Sequence, residues 1–132
     1  MNAKGVLGEL YKANERFYQD ATARSLVLLG CSKMQFILAE AILKGWITGD
    51  VNTTYAKGVQ ASFKFYEKYA KNVGSYTNEE QAAQYLVQNT VKLDAVSSNE
   101  QKLERVLMQK YLRSFHQGGY TAYFDHLRTG YP

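Results

Sequence analysis

The chain has 132 residues, 45% of them hydrophobic and 21% charged, which is one domain's worth of material with too many apolar residues for a disordered chain. Sixteen Lys and Arg against twelve Asp and Glu give a formal charge of +4, but Arg16, Arg24 and Lys33 stand isolated and the clustering that a nucleic-acid footprint needs is missing. No apolar stretch reaches the ~20 residues of a membrane span, so the chain as written is expected to be soluble, without a nucleic-acid partner.

In chain order, Leu7, Leu10, Tyr11, Asn14, Phe17 and Tyr18 fall at spacings that would suit a helix in an otherwise polar lead-in. Leu26 to Leu29 is a short apolar run that reads equally as an extended segment or as the start of the next helix, with Gly30 favouring a break. Cys31 is the single cysteine, which excludes an internal disulfide. Its setting, Leu28-Leu29-Gly30-Cys31-Ser32, superficially resembles a lipidation site. The apolar run before it is far shorter than the ~7 to 15 residues of a signal-peptide core, so Cys31 is expected to be an ordinary thiol.

Met34 to Lys44 is nearly all apolar, with Gln35, Glu40 and Lys44 as its polar positions, the pattern of a helix buried on most sides. Gly45 is its stop, Gly49-Asp50 a turn, and Asn52 or Thr53 the cap of a second helix. That helix carries Tyr55, Val59, Ser62, Phe63, Tyr66 and Ala70 on one inward face, so the two form an antiparallel hairpin. Gly74 is expected to end it. Thr77 with Glu80 forms a capping box for a short helix from Asn78 to about Leu86, and Gln88 to Val96 reads as a connecting loop.

Ser97 or Ser98 caps the next helix, with Glu100 or Gln101 completing either box. Leu103, Val106, Leu107, Tyr111 and Ser114 make one inward stripe and Met108, Leu112 and Phe115 a second, so this helix is expected to pack on two sides. Gly118-Gly119 stops it, and Tyr120, Tyr123, Phe124 and Leu127 mark one face of a last short helix, completing a second hairpin. The only proline is Pro132, which leaves long helices uninterrupted. The fold class is therefore all-α, one helical domain over residues 1–132, built of hairpins like those of tetratricopeptide repeats but without that repeat's own consensus.

Chemistry-bearing candidates are few. His116 and His126, the latter beside Asp125, could approach one another, but no Cys or carboxylate cluster completes a metal set. Glu40, in the most apolar helix, is either at its polar edge or buried with a partner; a buried carboxyl can be a general acid, although such a group is more often structural. Gln109, Lys110 and Arg128 read as residues that tie helices together by hydrogen bonds. No phosphate loop, nucleophile elbow or zinc-helix motif occurs, so no catalytic residue, metal or cofactor is expected. Eleven tyrosines would suit sugar stacking and wet interfaces, but several fall on helix-core positions.

Four separated segments carry a family resemblance: FILAEAILKGWI, YAKGVQASFKFY, QKYLRSF and RTGYP. In this order and at this spacing they resemble SusD/RagB-like outer-membrane nutrient-binding lipoproteins. The resemblance implies a largely irregular lead-in over Asn2 to Ala23 despite its helical spacing. It also implies that the chain is a fragment of a longer, lipid-anchored parent on the outer surface of Gram-negative outer membranes. Such proteins bind oligosaccharides or other nutrients without cleaving them and serve as a lid on a TonB-dependent transporter. Their ligand-stacking aromatics come largely from segments outside the helical repeats, so no ligand-binding residue is carried onto this chain. Two departures stand out: Tyr123 and Leu127 where the family has Trp and an Arg, and Ser32-Lys33 where an Ala-Glu pair is common. The rival reading is a free-standing tetratricopeptide-like adaptor that takes a peptide or partner helix on its concave face. A small hydrolase using Glu40 or His126 would need a cleft that so short a chain scarcely provides.

Overall fold

The computed structural model describes residues 29–70, 74–115 and 120–131. The lead-in, the Gly118-Gly119 stop and His116 lie outside the described residues. The elements are α1 (Cys31–Leu43), α2 (Val51–Tyr69), a single turn α3 (Gly74–Thr77), α4 (Glu79–Leu86), a 3-10 turn (Leu93–Ala95), α5 (Asn99–Arg113) and α6 (Thr121–Thr129). Among the described residues there is no strand, in agreement with the all-α expectation.

The hairpin read from Met34 to Tyr66 is present. After Leu43 the Trp46 amide donates to the Ala41 carbonyl and the Gly45 amide to Ile42, both at 2.9 Å, the paired bonds that close a helix through a left-handed residue. Gly45 sits at φ +73°, a conformation that costs glycine nothing. The next helix starts earlier than expected. Asp50, not Asn52 or Thr53, is its cap, its carboxylate accepting from the Asn52 and Thr53 amides and from the Thr53 hydroxyl; these bonds hold the Asp50 carboxyl below its usual range.

α1 and α2 pack through Phe36, Ala39, Tyr55 and Val59, all buried. The approach is close because residue 58 has no side chain: a Cβ there would lie 2.7 Å from the Phe36 ring. The Ser32 hydroxyl donates to the Gly58 carbonyl at 2.8 Å across the same seam. The connection expected as plain loop contributes to the core through Val91 and Leu93. The Tyr55 hydroxyl donates to the Val91 carbonyl at 2.9 Å, which answers the buried carbonyl and the phenol together. α5 closes the cluster with Val106, flanked by buried Leu103 and Leu107.

Several expectations are corrected. α2 ends at Tyr69, and Gly74 opens a helical turn instead of stopping one. α4 is capped by Asn78, which accepts from the Gln81 amide at 2.8 Å, one residue after the expected Thr77–Glu80 box; asparagine is the stronger cap. At α5 the cap is Ser98. The apolar stripes are less covered than their composition implies: Met34 and Ile37 on α1, Tyr111 and Leu112 on α5, and Phe115 just beyond its end are exposed. The face of α6 is corrected most. Tyr120, Tyr123, Phe124 and Leu127 are all exposed, and α6 has no buried residue.

Candidate functional site

A helix with nothing buried needs another hold, and four charged side chains supply it. Glu40 on α1 accepts two bonds from the Arg128 guanidinium on α6, 2.6 Å to Oε1 and 3.1 Å to Oε2. Lys110 on α5 sits between the carboxylates, 3.4 Å from Glu40 Oε2 and 2.9 Å from Asp125 Oδ2. Asp125 in turn accepts from Arg128 Nη2 at 3.0 Å. Glu40 and Lys110 are 4% and 6% exposed, whereas the Arg128 side chain is 46% exposed and rims the cluster.

The sequence places these groups without strain. Glu40 is the one acid of α1, and Lys110 follows Val106 and Leu107 on the buried side of α5. Asp125 and Arg128 are one turn apart on α6, a spacing at which side chains meet. Burial pushes the Asp125 carboxyl up, but hydrogen bonds from Lys110 and Arg128 and their charges outweigh it, and its pKa ends below the ordinary value. The Arg128 pKa is raised, chiefly by its bonds to Glu40 and despite its burial, with Asp125 adding to the effect. Two carboxylates answered by two cations need no outside counter-ion. Every member is held by another, so the cluster is a clamp joining α1, α5 and α6, with no free acid or base to move a substrate proton.

The residues singled out beforehand are accounted for within it or beside it. Glu40 takes the second of its two readings, buried with an Arg partner. Gln109 exchanges hydrogen bonds with the Tyr85 hydroxyl at 2.9 and 3.2 Å, tying α5 to α4. His126 is exposed, its Nδ1 3.0 Å from the Tyr131 carbonyl, and Asp125 is engaged by Lys110 and Arg128. Among the described residues no group of three His, Cys, Asp or Glu side chains could hold a metal, and no helix is long and apolar enough to cross a membrane. The part Asp125 plays in the clamp was missed; its spacing to Arg128 was the available signal.

The turn after α6 completes the arrangement. The Thr129 hydroxyl donates to the Asp125 carbonyl at 2.7 Å and accepts from the Tyr131 amide, while Gly130 takes φ +74°. Arg128-Thr129-Gly130-Tyr131 thus fixes the clamp arginine and turns the chain.

A family model described as "Starch-binding associating with outer membrane", one of the SusD-like models, matches residues 4–132. The chain belongs to this family. Solved SusD-like structures agree in fold as well as sequence. A Bacteroides vulgatus outer-membrane protein, described with a proposed part in nutrient binding, is 45% identical over 98% of this chain, with a TM-score of 0.91. Two SusD homologues of Bacteroides fragilis are 45% and 34% identical over 90% and 98% of this chain, with TM-scores of 0.86 and 0.83. No protein with a curated description matches. This chain spans 28%, 26% and 28% of those three solved SusD-like chains, in the order given.

Proposed function

We propose that this chain is the helical scaffold of a SusD/RagB-like cell-surface lipoprotein. The parent captures oligosaccharides or other nutrients at the outer membrane and passes them, uncleaved, to a TonB-dependent transporter. Residues 1–132 form one helical unit of that parent, and the capturing aromatics are supplied elsewhere in it. One observation carries the reading: the residues that mark the family, Glu40, Gly58, Lys110 and Arg128, are all consumed in holding helices together. A scaffold keeps its signature for packing, whereas an enzyme would leave an acid, base or nucleophile uncommitted in a cleft.

The test is isothermal titration of the full-length parent against an oligosaccharide panel, with pull-down of the transporter encoded beside it. Binding of at least one glycan without hydrolysis, and recovery of the transporter, are expected. Neither a ligand nor a transporter, or the release of cleaved sugar, would overturn the reading.

A further inference from the structure

Away from the clamp, and sharing no residue with it, a cavity of about 300 Å³ lies where the start of α1, the C-terminal half of α2 and the end of α5 meet. Its walls are largely apolar, with Ala61, Phe65, Tyr66 and Tyr69 supplied by α2. Phe65 and Tyr69 stand 5.1 Å apart between ring centroids, tilted at 41°. Three cations line the cavity as well, Lys64, Lys68 and Arg113, and no carboxylate does so among the described residues. The Lys68 ammonium lies 5.1 Å from the centroid of the Tyr69 ring.

Arg113 is the telling group. It is half-buried, and it makes no ion pair or hydrogen bond among the described residues. Burial pushes its guanidinium pKa down, against a smaller opposing effect of Tyr66. A basic residue in the last turn of a helix is ordinarily explained by the carbonyl end of that helix. That account leaves the cation in water, whereas this one is drawn in beside aromatic rings. Among the described residues no acid answers this partly desolvated guanidinium, and a carboxylate would match its donors in pairs. A sugar fits less well: it would meet hydroxyls such as those of Ser62 and Tyr69, but it carries no charge to answer Lys64, Lys68 and Arg113.

We propose that this cavity binds a small carboxylate with a flat apolar body, the carboxylate on Arg113 and the body against Phe65 and Tyr69. A cavity of this size is within the range of small-ligand sites. Cys31, the only cysteine of the chain, is exposed and lines the same cavity, which gives the site its own reporter.

The experiment titrates the protein with 2-naphthoate and with the uncharged 2-naphthalenemethanol, and follows alkylation of Cys31 by iodoacetamide. The acid is expected to bind ~10 to 100-fold more tightly than the alcohol, the worth of a charge-assisted bond. Alkylation of Cys31 should slow as the acid saturates the protein. Arg113→Met should bring the two affinities to within about threefold of one another. Equal affinities in the unaltered protein, binding of the acid without protection of Cys31, or no binding at all would each overturn the proposal. If Arg113→Met fails to fold, the unaltered protein decides alone through the acid-to-alcohol ratio and the alkylation rate. Neither readout depends on the glycan titration of the parent, so the two readings stand or fall separately.

Discussion

The hairpin of α1 and α2 and the docking of α6 solve the same problem by opposite means. The hairpin is closed by an apolar seam in which Phe36, Ala39, Tyr55 and Val59 are buried and a glycine lets a ring approach a backbone. α6 buries no residue and is fastened by Glu40, Lys110, Asp125 and Arg128. Apolar contact is non-directional and scales with area, so the seam makes the hairpin cohere. Charged bonds are directional and set one orientation, so the clamp fixes where the last helix sits.

The largest effect that separates the two regions should come from Phe36→Ala. Phe36 is 1% exposed at the centre of the seam, and emptying such a site costs ~3 to 5 kcal/mol out of a total of ~5 to 15. The denaturant midpoint of the whole protein should fall, with every region unfolding together. If only α1 frayed while α5 kept its exchange protection, the seam would not be the common core.

Glu40→Gln should act on the other region. It removes the negative charge that answers Lys110 and Arg128 on α1, and it turns one of the two oxygens that accept from Arg128 into an amide donor. We expect ~2 kcal/mol, below the ~3 to 5 of a fully buried pair because Arg128 is partly exposed and screened. Amide exchange should accelerate in Thr121–Thr129 ahead of Val51–Tyr69. Uniform acceleration through both helices would mean that Glu40 serves the core and not the clamp.

Gly58→Ala sharpens the seam at smaller cost. The added methyl meets the Phe36 ring at 2.7 to 3.0 Å, and overpacking of this kind costs ~1 to 3 kcal/mol. Phe36→Leu in the same chain should recover part of the loss by vacating the contact. No recovery would place the strain in the backbone of α2 and not at the ring.

These two regions also differ in how far the sequence disclosed them. The seam was legible because its residues repeat at helical spacing and Gly45 ends the run, so a local pattern predicted a local structure. The caps at Asp50 and Asn78 were misplaced, by two or three residues at the first and by one at the second. Several small polar residues stand close together at both places, and so short a shift leaves the apolar pattern unchanged. The outward turn of Tyr120, Tyr123, Phe124 and Leu127 was hidden for a different reason. Periodicity shows that a helix has an apolar face, but not whether the described residues contain a partner to cover it. The clamp lay in between. Lys110 and Arg128 were read as ties, but their common partner Glu40 is 70 and 88 residues away in sequence, beyond any window of periodicity.

The mildest way to set the regions apart is pH, through Asp125 in the clamp and Tyr55 in the seam, whose pKa values are displaced in opposite senses. Asp125 has its carboxyl held low by Lys110 and Arg128 against the effect of burial. Its contribution is therefore present above the ordinary carboxylate value of ~4 and is lost as pH falls through the depressed one. Tyr55, in the seam, has its phenol pushed up chiefly by burial. Its contribution is present below the ordinary value of ~10 and declines as pH rises beyond it. Acid should loosen α6 first and alkali the hairpin. Urea midpoints measured across pH should show Asp125→Asn flattening only the acid limb and Tyr55→Phe only the alkaline one. A single variant that flattened both limbs would mean that seam and clamp are one cooperative unit, and the division between them would have to be given up.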